Sequence, residues 1–101
     1  MSIKLWIDDV RPAPKGYYWI RSVNEAKRFF NSPIGKDRVI ALVDLDHDAG
    51  DFASFGGDYI RLLDWFEETG RNYPIRLHSM NPTGRINMER ICHRNGWTIV
   101  K

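Results

Sequence analysis

A chain of 101 residues has room for one hydrophobic core but not for two, and residues 1–101 read as a single domain. Its 43% hydrophobic and 13% aromatic content, with four tryptophans, is too apolar for a segment that stays disordered in water. Fifteen basic residues against 13 acidic ones leave a net charge of +2, too even a balance for bulk binding of DNA, so an anionic ligand must be recognised locally.

The first element, "IKLWI" at residues 3–7, has the bulky, β-branched content of a strand and stops at Asp8 and Asp9. The "RPAPKG" that follows has two prolines and a glycine, and it joins directly to a second strand, "YYWIR". Ser22 and Glu25 form a capping box, and Val23, Ala26, Phe29 and Phe30 supply an apolar stripe, so a helix is predicted over about 22–31.

The third strand, "RVIALVDLD" at 38–46, is nearly continuous in its apolar part, as a central parallel strand is. It runs straight into Asp46, His47 and Asp48. After the glycine-containing loop "AGDFASFGGD", Tyr59, Leu62, Leu63 and Phe66 recur at helical spacing, and Gly70 can end that helix. "IRLHS" is a fourth strand. Asn81 and Pro82 suit the N-cap and first position of a helix that Gly96 stops, and "WTIV" supplies a fifth strand.

Strands alternating with helices predict an α/β fold with right-handed crossovers. The expected architecture is flavodoxin-like, a parallel five-stranded sheet in the order 2-1-3-4-5. Helices would lie on both faces, and the first helix is replaced by the short "RPAPKG" loop. No apolar run approaches the roughly 20 residues that span a bilayer. The lone Cys92 cannot form an internal disulfide, and no signal-peptide pattern opens the chain, so a cytoplasmic location is expected.

In that topology the carboxyl ends of strands one, three and four open into one crevice, where α/β proteins bind ligands. Those ends carry Asp8 and Asp9, then Asp46, His47 and Asp48, then His78, Ser79 and Asn81. Four carboxylates gathered in a partly dry site repel one another unless protons or a cation neutralise them. A divalent ion on Asp8, Asp9, Asp46 and Asp48 is the simplest remedy. Oxygen ligands of this kind suit Mg²⁺, Mn²⁺ or Ca²⁺, with Mg²⁺ or Mn²⁺ expected, while two histidines beside the aspartates also leave Fe²⁺ and Zn²⁺ open.

His47 and His78 have the imidazole chemistry of an acid and base pair near neutral pH. Asn81, Pro82, Thr83 and Gly84 open a helix whose amides favour an anion, with Arg85 adding a charge. Each residue also has a plainer reading. Asn81 caps the helix without any ligand, Ser79 suits a turn, His47 could bond a backbone carbonyl, and Asp44 falls outside the expected ligand set. The tryptophans read as core aromatics.

The segments "LWIDDVRPAP", "LDHDAG" and "HSMNPTGRINM", in that order and spacing, resemble the cyclic-phosphate processing receiver-like family, an offshoot of the phosphorelay receiver domain. The resemblance implies a metal-dependent site acting on the 2′,3′-cyclic phosphate of an RNA end or on a small cyclic nucleotide. Family positions carry onto Asp8, Asp9, Arg11, Asp46, His47, Asp48, His78, Ser79 and Asn81. Phosphorelay signalling through Asp46 is disfavoured, because His47 follows it directly and no internal strand end offers a lysine.

The expected function is a cyclic phosphoesterase. The divalent ion would polarise the phosphoryl group, His47 and His78 would move protons, and Arg11, Ser79, Asn81 and Arg85 would bind phosphate. The alternative is a non-catalytic receiver-derived module that binds a cyclic nucleotide or a protein partner.

Overall fold

The computed structural model describes residues 2–101. Among them, β1 (Ser2–Ile7), β2 (Tyr17–Ile20), β3 (Val39–Leu45) and β4 (Ile75–Leu77) form a four-stranded parallel sheet in the order β2-β1-β3-β4. β1 and β3 are therefore neighbours, as the sequence predicts.

The expected fifth strand is not formed. "WTIV" reaches the predicted place beside β4 but makes a single bridge, Ile75 to Ile99. Its hydrogen bonds run from Ile75 N to Thr98 O at 2.9 Å and from Val100 N to Ile75 O at 2.7 Å. β4 has only three residues, and Ile75 alone is bonded through both its N–H and its C=O to this segment, so no ladder of strand length forms.

The helices start where capping chemistry allows. Ser22 Oγ accepts from the Glu25 amide at 3.0 Å and opens α1 (Val23–Asn31). Ser32 ends α1 and caps α2 (Pro33–Asp37), a short helix not legible beforehand. A 3-10 helix (Gly50–Phe55) lies in the glycine-containing loop ahead of α3 (Ile60–Glu68). α4 (Pro82–Asn95) starts at Asn81, as expected, and stops at Gly96, whose φ of 69° is the left-handed conformation glycine adopts without strain. No helix among the described residues is long and apolar enough to cross a membrane.

Helices on both faces were expected, and the packing corrects this. Val23, Ala26, Phe29 and Phe30 of α1, Leu62, Leu63 and Phe66 of α3, and Met88, Ile91 and Cys92 of α4 all join one core. That core also takes Leu5 and Ile7 of β1, Ile40, Val43 and Leu45 of β3, and Ile75 of β4, so the helices cover one face.

Right-handed crossovers explain it. The steps from β2 to β3, from β3 to β4 and from β4 onward all run the same way across the sheet and place their helices on the same side. Only the step from β1 to β2 runs the other way, and there the chain forms a helix-free loop, as predicted. The loop is tied to the sheet by two indoles. Trp6 Nε1 donates to Arg11 O at 2.9 Å, and Trp19 Nε1 donates to Asp8 O at 2.8 Å.

Candidate functional site

Three strand ends converge as the sequence reading requires. One ligand atom from each of Asp8, Asp46 and His78 falls within 4.8 Å of the others. Asp8 follows β1 directly and is fully buried. Its Oδ1 accepts the amides of Val10 and Arg11, each at 3.0 Å, which folds the loop back over the strand end. Its Oδ2 meets His78 Nε2 at 2.9 Å. Burial acts to raise the Asp8 pKa, but the bonds from the Arg11 amide, His78 and the Val10 amide outweigh it and hold the carboxyl below its ordinary value.

His78 is held on every side. Its Nδ1 lies 2.7 Å from Asp44 Oδ1, and its ring stacks on Trp6 with centroids 3.8 Å apart. Carboxylates only accept, so both contacts are hydrogen bonds when both ring nitrogens carry hydrogen. Asp44 is fully buried, and its other oxygen takes Arg76 Nη1 at 2.9 Å.

Asp44, which sequence reasoning set aside, is one of the two carboxylates that hold His78. The signal was present: strand alternation puts residues 44 and 46 on one face, and a carboxylate inside an apolar strand needs a partner.

Asp46 is nearly buried and accepts its neighbour's amide, His47 N, at 2.7 Å. Asp9 stands beside this group. Burial, and then the charges of Asp8 and Asp46, push its pKa above the ordinary value. A cation would relieve that crowding, and the oxygen donors of Asp8, Asp46 and Asp9 suit a hard divalent ion. Asp8 and Asp46 offer such an ion oxygen donors within reach of one another, with Asp9 near enough to feel their charge, whereas His78 Nε2 is already bonded to Asp8.

Asp48 belongs to a second group with His47 and Asp58. His47 Nδ1 bonds Asp48 Oδ1 at 2.8 Å. That bond, followed by one from Asn81, lowers the Asp48 pKa against the opposing effect of burial. With its proton held at Nδ1 by a carboxylate, the neutral ring keeps its lone pair at Nε2. The ring packs so closely on α4 that a Cβ at Gly84 would lie 2.5 Å from His47 Cγ.

The expected phosphate seat at the start of α4 is smaller than the sequence suggested. Pro82 has no amide hydrogen, the Gly84 amide donates to Asn81 Oδ1 at 3.0 Å, and the Arg85 amide donates to Asn81 O at 2.9 Å. Thr83 is left with the one amide of that turn not bonded within the chain, among the described residues. Ser79 is buried, and its hydroxyl accepts the Asn81 amide at 3.0 Å, the turn role that sequence reasoning weighed against a ligand role.

Arg85 is half exposed, 3.7 Å from Glu89, and lines a cavity of about 220 Å³ with Ser79, Met80 and Pro82. Arg11 lies at the rim, its Nη1 donating to His78 O at 3.3 Å.

A parallel sheet in this order, with acidic residues at the ends of β1 and β3, defines a receiver-like α/β protein. Residues 3–94 match the model of the Cyclic-phosphate processing Receiver domain, and the chain belongs to that family. A search of curated proteins finds no match, and neither does a search of solved structures.

Proposed function

We propose that this protein is a metal-dependent phosphoesterase that opens a cyclic phosphate, either the 2′,3′-cyclic end of an RNA or a small cyclic nucleotide. The observation that carries the reading is the meeting of Asp8, Asp46 and His78 at three strand ends, in a chain whose family is defined by cyclic-phosphate processing. Asp8, Asp46 and the adjoining Asp9 would hold Mg²⁺ or Mn²⁺, with Asp48 contributing through His47 rather than as a ligand. When bound, such an ion polarises the phosphoryl group and favours ionised water.

The chain's own residues handle the protons. His47 Nε2, with its tautomer set by Asp48, takes the proton of the attacking water. As the water oxygen bonds to phosphorus, one ring P–O bond breaks, and the leaving ribose oxygen takes a proton from His78 Nε2. Asp44 and Asp8 hold that ring in place, and Trp6 fixes its plane. Arg85, Arg11 and the Thr83 amide meet the phosphoryl oxygens.

One observation favours a second reading, binding without turnover. Both nitrogens of His78 are engaged by carboxylates, and its side chain is 7% exposed, as in a structural histidine. The purified protein with Mg²⁺ or Mn²⁺ should open 2′,3′-cyclic or 3′,5′-cyclic nucleotides, and the metal should raise its melting temperature. Asp46→Asn should abolish both effects. Calorimetric binding of the nucleotide with no product would favour the second reading, and neither binding nor product would end both.

A further inference from the structure

A groove of about 560 Å³ runs beside α4, within the ~300–1,000 Å³ range of small-molecule sites. One wall is the α4 face bearing Arg85 and His93, eight positions apart and so about 12 Å along the helix. The opposite wall is the segment after the helix, with Trp97, Ile99 and Lys101, and Leu77 of β4 completes the lining.

The groove has a direction. Ile99 pairs in parallel with Ile75, and Leu77, the residue just before His78, lines the groove together with Lys101. Arg85 lines both this groove and the smaller cavity at Ser79. Arg85 therefore marks the end nearest the site, while His93, Ile99 and Trp97 line the body of the groove. Glu89, the one acidic lining residue among those described, is already near Arg85.

We propose that this groove receives the nucleoside of a nucleoside cyclic phosphate, with the phosphate at Arg85 and the base toward His93 and Trp97. The inference rests on the phosphoesterase reading and adds to it the surface that holds the nucleoside, which a cyclic phosphate of a simple polyol would leave empty. An apolar floor with an imidazole accommodates a heterocycle by stacking and hydrogen bonding, and the cationic end accommodates the phosphate.

The test compares 2′,3′-cyclic AMP with glycerol 1,2-cyclic phosphate, which have the same five-membered phosphate ring. The nucleotide should show a KM lower by about tenfold, equivalent to about 1.4 kcal/mol. His93→Glu should raise that KM about tenfold without changing kcat, leaving the constants for the glycerol compound unchanged. Ile99→Glu, from the other wall, should act in the same direction.

Equal constants for the two substrates, or variants that alter both alike, would overturn the groove assignment. Should neither ring be opened, the phosphoesterase reading fails by itself. Calorimetry then decides the groove. Adenosine 3′-monophosphate should bind about tenfold tighter than inorganic phosphate, and His93→Glu should erase the difference; equal affinities would sink the proposal.

Discussion

His78 lies flat on Trp6, with the two ring planes 2° from parallel, while its edge is pinned between Asp44 and Asp8. Stacking fixes the plane of the imidazole and the two carboxylates fix its rotation. The residue reaches the site without conformational freedom to lose.

That arrangement predicts unequal costs for the two ends of one ion pair. Arg76 is 43% exposed at its side chain, so water screens its half of the pair and can replace it at Asp44, and Arg76→Ala should cost about 1–2 kcal/mol. Asp44 is fully buried and holds both Arg76 and His78. Asp44→Ala should cost about 3–5 kcal/mol, because it leaves a buried imidazole facing nothing on that side. Urea denaturation curves for the two variants check the contrast, and similar midpoints would contradict it.

Acid should act on Asp8 and Asp9 with opposite sign. Asp8 has a folded pKa below its ordinary 3.8, so its contribution is whole above 3.8 and is lost as pH falls through the folded value. Asp8→Asn should flatten the fall in stability below about pH 4. Asp9 has a folded pKa above 3.8, so its charge is a cost that is complete above the folded value and absent below 3.8. Asp9→Asn should therefore stabilise the metal-free protein at pH 7, and the gain should fade as pH falls toward 3.8. Urea midpoints taken from pH 7 to pH 2 measure both.

Much of this was readable in advance because local chemistry and global topology agree. Ser22, Asn81 and Gly96 mark helix ends by rules that need no tertiary information, and the charged end of β3 pointed to a crevice. Two features of the fold, and the identity of the partners that Asp44 needs, were not readable for physical reasons. α2 depends on Ser32 closing one helix while opening the next, which a five-residue segment does not reveal by periodicity. The one-sided sheet follows from crossover direction, a property of the assembled chain. Asp44 differs again: its partners Arg76 and His78 lie 32 and 34 positions away, and only the parallel register of β3 with β4 brings them alongside.

The contact between His47 and Gly84 gives a test of the second half of the site that needs no substrate. A methyl at position 84 would lie 2.5 Å from Cγ of the ring and 2.6 Å from Cδ2, so the imidazole must shift and its bond to Asp48 must weaken. Gly84→Ala should thus cost about 1–3 kcal/mol, the usual penalty of overpacking. In a His47→Ala background the obstacle is gone, and the same change should be near neutral or gain up to about 1 kcal/mol from alanine's better helix propensity. The two substitutions should therefore be coupled by at least about 1 kcal/mol in a double-mutant cycle of urea denaturation. Additive costs would mean that the ring does not rest on the first turn of α4, and His47 would then lose the support that orients it as a base.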